Sequence, residues 1–188
     1  PAGAEEAGGM EYPTLITTDG FWFDTWTGGR FIETVTLHEL GHQWFYGLGS
    51  TNEHADPFLD EGINSYAEGH AMEARHPGSS AIGALGLGVS LSSIPYFTGI
   101  GAEANAPIAQ PASSFVSGSD YGALVYDHTA ILMDTLANVY DKDEVRRTVG
   151  MYARHYRFAH PTPDDFIKTV REIVGADAAE QLHTALFD

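Results

Sequence analysis

The chain has 188 residues, 43% of them apolar and 12% aromatic, which suffices to bury the core of one domain and is too apolar for a disordered tail. Acidic residues outnumber basic ones 26 to 9, for a formal charge of −17, and a surface of that sign repels nucleic-acid phosphates and anionic membranes. There is no cysteine, so disulfides and thiolate zinc sites are excluded, and any metal has to be held by His, Asp or Glu.

The opening PAGAEEAGG has neither the basic n-region nor the apolar core of a signal peptide and reads as loose. No apolar run approaches the ~20 residues that span a bilayer. A soluble chain is expected, with its compartment open. In MEYPTLITTDGFWFDTW, two runs of β-branched and aromatic residues flank Asp19-Gly20, a hairpin turn signal. Residues 31 to 46 read as a helix, because Val35, His38, His42 and Phe45 recur at spacings of three and four. Gly41 inside it costs roughly 1 kcal/mol against Ala, so a packing reason for a small residue is expected. PFLDEGINSYAEGHAMEARHPG reads as a second helix, stopped at His76-Pro77-Gly78. Residues 78 to 119 are rich in Gly, Ser, Ala and Pro, and short helices within a functional surface loop are expected there. A third helix is predicted over 120 to 140. The end of the chain reads as a helical hairpin, with an N-terminus at Thr162-Pro163-Asp164-Asp165, a buried stripe of Phe166, Val170 and Ile173, and a stop at Gly175.

The stretch VTLHELGHQW carries the chemistry. In a helix, residues four apart lie nearly above one another, so His38 and His42 can aim two imidazole nitrogens at one metal ion. Glu39 is rotated about 100° away and can reach over the ion's open side as a general base. Two histidines are too few, because a catalytic zinc usually has three protein ligands and one open position. The long-signature zincins would need Gly at position 45 and His at position 48, and this chain has Phe45 and Leu48. Downstream candidates are Glu53, His54, Asp56, Asp60, Glu61 and Glu68. Glu61 and Glu68 share a face of the second helix, and spacing alone does not choose among the six. The plain alternative for Glu68 is a solvated acid or one that props a ligand.

At this point the sequence resembles a family, the gluzincin aminopeptidases of the alanyl-aminopeptidase type. Eighteen residues separate His42 from Glu61, as in that family's HExxH-x18-E pattern, so the resemblance implies Glu61 as the third ligand. FLDEGINSYAE looks like the family's Trp-Leu-Asn-Glu-Gly-Phe-Ala helix, with Phe58 and Asp60 in place of Trp and Asn. Thermolysin-type gluzincins carry Asp four residues after the ligand Glu, and this chain has Ser65. GGMEYPTL resembles the family's Gly-x-Met-Glu-Asn motif, with Tyr12 for Asn, which implies that Glu11 binds the free α-amine of a peptide. VYDHTAILMDTL resembles the family's Tyr-x-Lys-Gly helix, with His128-Thr129 for Lys-Gly, which puts the transition-state tyrosine at Tyr126. Tyr121 lies five residues earlier as a second candidate. His54, His70, His76, His155, His160 and His183 are expected in surface or helix-end roles.

The fold class these readings imply is α+β and mostly helical: a thermolysin-like zinc-peptidase catalytic domain, its sheet reduced to a short N-terminal hairpin, with a C-terminal helical lobe. One domain is expected over 1–188, made of a strand segment (1–30), the zinc-binding helices (31–76), a loop-rich segment (77–119) and the helical lobe (120–188). The expected cofactor is one Zn2+ per chain, and the expected partner is a peptide with a free N-terminus, with no nucleic acid and no membrane. The family carries a β-rich domain before the exopeptidase motif. With that motif near residue 1 here, an exposed sheet edge able to pair with a second copy is expected. Two alternatives stand beside the aminopeptidase reading: a zinc-binding but catalytically incompetent fragment of a larger peptidase, and an endopeptidase of the same fold.

Overall fold

The computed structural model describes residues 8–19, 28–99 and 106–188. Two short strands, β1 (Gly9–Tyr12) and β2 (Leu15–Thr18), pair antiparallel with Met10 opposite Thr17 and Glu11 opposite Ile16. The turn between them falls at Pro13-Thr14, where Thr14 takes φ +65°, and the turn expected at Asp19-Gly20 runs into residues outside those described. Proline supplies the first turn position and a positive φ the second, which explains why the chain reverses inside the first β-prone run. Gly20 and the run that follows it lie outside the described residues, as does most of the opening segment expected to be loose.

Helix α1 (Phe31–Phe45) packs under this hairpin and beside α2 (Glu61–Arg75). Its burial inverts the usual pattern. Phe31, Leu40 and Trp44 are exposed, while the buried side chains are Glu39 and His42. The close approach of α1 and α2 runs through Gly41. A Cβ built there would lie 1.9 Å from Asn64 Oδ1, and Asn64, itself buried, donates from Nδ2 to the carbonyl of His38 at 2.7 Å. That is the packing reason for a glycine inside the helix.

The segment after α2 is tied down by one carboxylate. Glu73 accepts hydrogen bonds from Gly78 N (2.6 Å), Ser80 Oγ (2.8 Å) and Ser90 Oγ (2.7 Å). These anchor a second small hairpin, β3 (Ile82–Ala84) with β4 (Leu87–Val89), which the sequence reading had folded into a loop with short helices. A short helix, α3 (Ile94–Thr98), follows.

The predicted third helix is a continuous rod of three parts: α4 (Gly118–Tyr121), a π-helical stretch (Gly122–His128) and α5 (Thr129–Val139). The C-terminal lobe holds three helices, one more than a hairpin: α6 (Lys142–His155), α7 (Pro163–Ile173) and α8 (Ala176–Phe187). Asp141 caps α6 through the backbone N–H groups of Asp143 and Glu144. At α7, Asp165 accepts from the Thr162 backbone N–H at 2.9 Å, the predicted start. Gly175, at φ +135°, ends α7 and turns the chain into α8. The core lies between these helices and the start of α2, around Phe58, Leu59, Ile63, Met133, Tyr152, Phe166 and Leu182. Phe166 and Val170 are buried as predicted. Among the described residues, no helix is long and apolar enough to cross a membrane.

Candidate metal centre

His38 and His42 stand one turn apart on α1, and Glu61 opens α2 opposite them. Glu61 Oε2 lies 3.0 Å from His38 Nε2 and 3.2 Å from His42 Nε2. Donor atoms around a tetrahedral ion at ~2 Å lie about 3.3 Å apart, so Glu61 stands near that spacing from each imidazole, and the three donor atoms all lie within 4.8 Å of one another. Each imidazole is also held from behind by a carboxylate. His38 Nδ1 is 2.7 Å from Glu68 Oε2, and His42 Nδ1 is 2.5 Å from Asp60 Oδ1. Such carboxylates fix ring orientation and leave each Nε2 turned to the ion.

The electrostatics suit a divalent cation. Burial disfavours charge on both rings, but the carboxylates outweigh it, Glu61 and Glu68 holding His38 at about 9 and Asp60 and Glu61 holding His42 at about 11. Burial also opposes charge on Glu61, and the hydrogen bonds from the two rings overcome this and bring it to about 2. In the metal-free chain, protons on the imidazoles neutralise these carboxylates, and a divalent ion would take their place.

Glu39 sits against β1, where a Cβ at Gly9 would fall 2.4 Å from Glu39 Oε1. Burial raises its pKa, and its Oε2 has no hydrogen-bond partner among the described residues. A buried carboxylate oxygen left without a partner fits a base whose partner is a water or substrate atom. Glu11, on β1, lines the same cavity, and its carboxylate groups with His42 and Asp60. Tyr126 comes from the π-helical stretch, a local widening common at functional sites. Its ring stacks on His38 with centroids 5.8 Å apart, and burial together with the Glu61 carboxylate pushes its pKa up, so the phenol keeps its proton. Tyr121 packs edge-on against Tyr126, 6.0 Å between centroids.

The structure thus brings His38, His42, Glu61, Glu39, Glu11 and Tyr126 around one cavity of about 700 Å3. Of the other candidates for third ligand, Asp60 and Glu68 hold the histidines, Glu53 lines the cavity, and His54 and Asp56 do not. The sequence reading missed Asp60 as the partner of His42, although it directly precedes Glu61. It missed Gly9 as the seat of Glu39, for which the sequence carries no signal. It also left His70 to the surface, whereas that residue lines the cavity.

The model for the peptidase family M1 domain matches residues 4–185, and the chain belongs to that family. Solved structures agree in fold. The M1 zinc metallopeptidase from Deinococcus radiodurans superposes with a TM-score of 0.69 at 19% identity, over 96% of this chain and 36% of that one. A mutant of an M1 zinc metallopeptidase from Deinococcus radiodurans bound to a Tyr-Ser-Ala substrate gives 0.69 at 19% identity, over 95% and 36%. A two-domain M1 zinc metallopeptidase mutant bound to L-tryptophan gives 0.72 at 17% identity, over 97% and 37%. The chain therefore spans a little over a third of the length of these neighbours. The comparison with curated proteins gave no significant match.

Proposed function

We propose that the chain is a zinc-dependent aminopeptidase unit, with one zinc held by His38, His42 and Glu61. The observation that carries this reading is the convergence of two imidazole Nε2 atoms on one Glu61 oxygen, at 3.0 and 3.2 Å, with a Glu39 oxygen that has no partner among the described residues beside them. When bound, zinc supplies Lewis acidity that lowers the pKa of a water toward neutrality and polarises a carbonyl. Glu39 accepts the proton of the attacking water and passes it to the leaving amine, a task suited to a buried carboxylate of raised pKa. Tyr126 donates a hydrogen bond to the substrate oxygen as charge develops on it. Glu11 pairs with the substrate's α-ammonium and so counts one residue from the amino end.

The cavity has the size of a small-ligand site and opens to solvent. The test is metal dependence. Chelation is expected to abolish hydrolysis of a free-amine aminoacyl reporter, and restoration is expected at one zinc per chain. Equal turnover by the chelated chain would end the reading.

A second reading rests on the span of the chain against its neighbours. In it, the module holds zinc through the same residues but needs segments outside this chain to turn over. It predicts one bound zinc and no hydrolysis. An endopeptidase, the third possibility, would cleave blocked and free substrates alike. The β1–β2 sheet leaves strand edges without a sheet partner among the described residues, and pairing of two copies there is expected; a monomer by light scattering at high concentration would refute it.

A further inference from the structure

The cavity runs beyond the metal centre. Glu11 stands with His42 and Asp60 at one end, whereas His38 is backed by Glu68, and α2 continues from there through Gly69 to His70. From the metal centre the cavity continues between Ser65 and Gly69 of α2 and Ala130 and Asp134 of α5 to His70, which leaves that end open to the part of a peptide beyond its scissile carbonyl when the amine is on Glu11. There His70 Nε2 lies 3.2 Å from Asp134 Oδ1, and both residues line the cavity. Tyr66 lines it too. That side chain is only 4% exposed, its ring packs edge-on against His70 at 4.4 Å, and its hydroxyl has no partner. Burial and the Asp134 carboxylate push the Tyr66 pKa up to about 12, so the phenol is a neutral donor and acceptor at this end.

Three observations say what this end would take. Ile94, Pro95, Ala130 and Gly69 contribute apolar or small lining to the cavity. Gly69 is buried, yet a Cβ built on it would meet nothing within 4 Å, so the helix presents open space there. And among the described residues that line the cavity none is Lys or Arg, while Glu68 and Asp134 are acids. Arg146 is near enough to influence Tyr66, but it does not line the cavity and is paired with Asp143 at 3.7 Å. An apolar channel ending at a carboxylate and a partnerless buried hydroxyl fits a long side chain with a cationic head.

The geometry points to a specificity subsite, formed by Tyr66, Gly69, His70 and Asp134, that takes a lysine or arginine side chain on the residue just after the scissile bond. This assignment rests on the proposed placement of the peptide amine at Glu11. Asp134 accepts from the ammonium or guanidinium, the Tyr66 hydroxyl supplies a further polar contact, and the aliphatic stem lies along Gly69 and Ile94.

The test separates this subsite from the peptidase reading by using binding as well as turnover. Leu-Lys-amide, Leu-norleucine-amide and Leu-Glu-amide are titrated into the zinc-loaded Glu39→Gln chain by calorimetry, and their hydrolysis is followed with the unmodified chain. Leu-Lys-amide is expected to bind about tenfold more tightly than Leu-norleucine-amide, the worth of one charge-assisted hydrogen bond, with Leu-Glu-amide weakest. Asp134→Asn is expected to bring lysine and norleucine within about twofold. Gly69→Leu, a better helix former than glycine, is expected to weaken Leu-Lys-amide by about tenfold or more, by filling the channel. Equal binding of lysine and norleucine, no binding of any of the three, or a preference that survives Asp134→Asn, overturns the subsite. A lysine preference in binding without hydrolysis keeps the subsite and defeats the peptidase reading. Hydrolysis without preference does the reverse.

Discussion

Gly41→Ala probes how α1 and α2 hold the metal ligands apart. In an exposed helix this change would add about 1 kcal/mol of stability. Here the new methyl would fall 1.9 Å from Asn64 Oδ1, far inside contact distance, and the side chain that has to move is buried. Moving Asn64 breaks its 2.7 Å hydrogen bond to the His38 carbonyl and leaves buried polar atoms unpaired, at a cost of about 1–3 kcal/mol. The overlap itself adds about 1–3 kcal/mol for an overpacked site. Against the helix gain, the net is a destabilisation of about 1–5 kcal/mol, measurable as a lower urea midpoint with unchanged slope. Because α1 carries His38 and His42 and α2 carries Glu61, a forced separation should also weaken zinc binding. Asn64→Ala in the same chain makes room for the methyl, so the double variant should lose less than the sum of the two single changes. If Gly41→Ala raised the urea midpoint, as in an unobstructed helix, the account of this contact would be wrong.

Zinc binding at pH 7 should release at least one proton per chain, since the metal-free pocket holds His38 at about 9 and His42 at about 11. Calorimetry in buffers of different ionisation enthalpy reads this directly, and a buffer-independent heat would contradict it. The sign for the metal-free chain follows from the same shifts. Stability from the raised histidines is fully present below pH 6.5 and is lost as pH rises through about 9 for His38 and about 11 for His42, whereas stability from the depressed Glu61 is present above 4.5 and is lost as pH falls toward about 2. Tyr126→Phe should lower kcat by roughly 10²–10³-fold, with KM little changed, if the hydroxyl acts on the developing oxyanion; an equal rise in KM with kcat preserved would reassign it to ground-state binding. Gly9→Ala should push the Glu39 carboxylate away and cut kcat while leaving zinc content at the level of the unmodified chain.

The parts of the site legible in the sequence were those set by local period. His38 and His42 declare themselves because four residues make one helical turn, and Glu39 between them follows from the same geometry. Glu61 was one of six acids and histidines on spacing alone, and only the resemblance to the family's motif singled it out. What stayed hidden were contacts made across elements. Asp60 behind His42, Glu68 behind His38 and Gly9 against Glu39 depend on how α1, α2 and β1 pack, which no residue period encodes.

Two errors in the fold have physical causes. The β-prone run from Met10 to Thr18 was read as one strand. Pro13 and a positive φ at Thr14 turn it back on itself before Asp19-Gly20 is reached. In the lobe, a helical hairpin was expected and three helices, α6, α7 and α8, are present. The burial of Ala178, Leu182 and Leu186 at fourfold spacing carries the signal for the last of them. In helix α1 the face predicted from Val35, His38, His42 and Phe45 is the buried or half-buried one, while Phe31, Leu40 and Trp44 are exposed.

The most direct measurement is hydrolysis of aminoacyl amide reporters by this chain in its zinc-loaded form, each reporter offered with a free and with an acetylated amino group, and with Glu39→Gln as the blank. The account predicts cleavage of the free-amine set alone, and none by Glu39→Gln despite full zinc content. Cleavage of both sets would remove Glu11 from its role. Cleavage of neither set with one zinc bound per chain would contradict the claim that these residues suffice for catalysis.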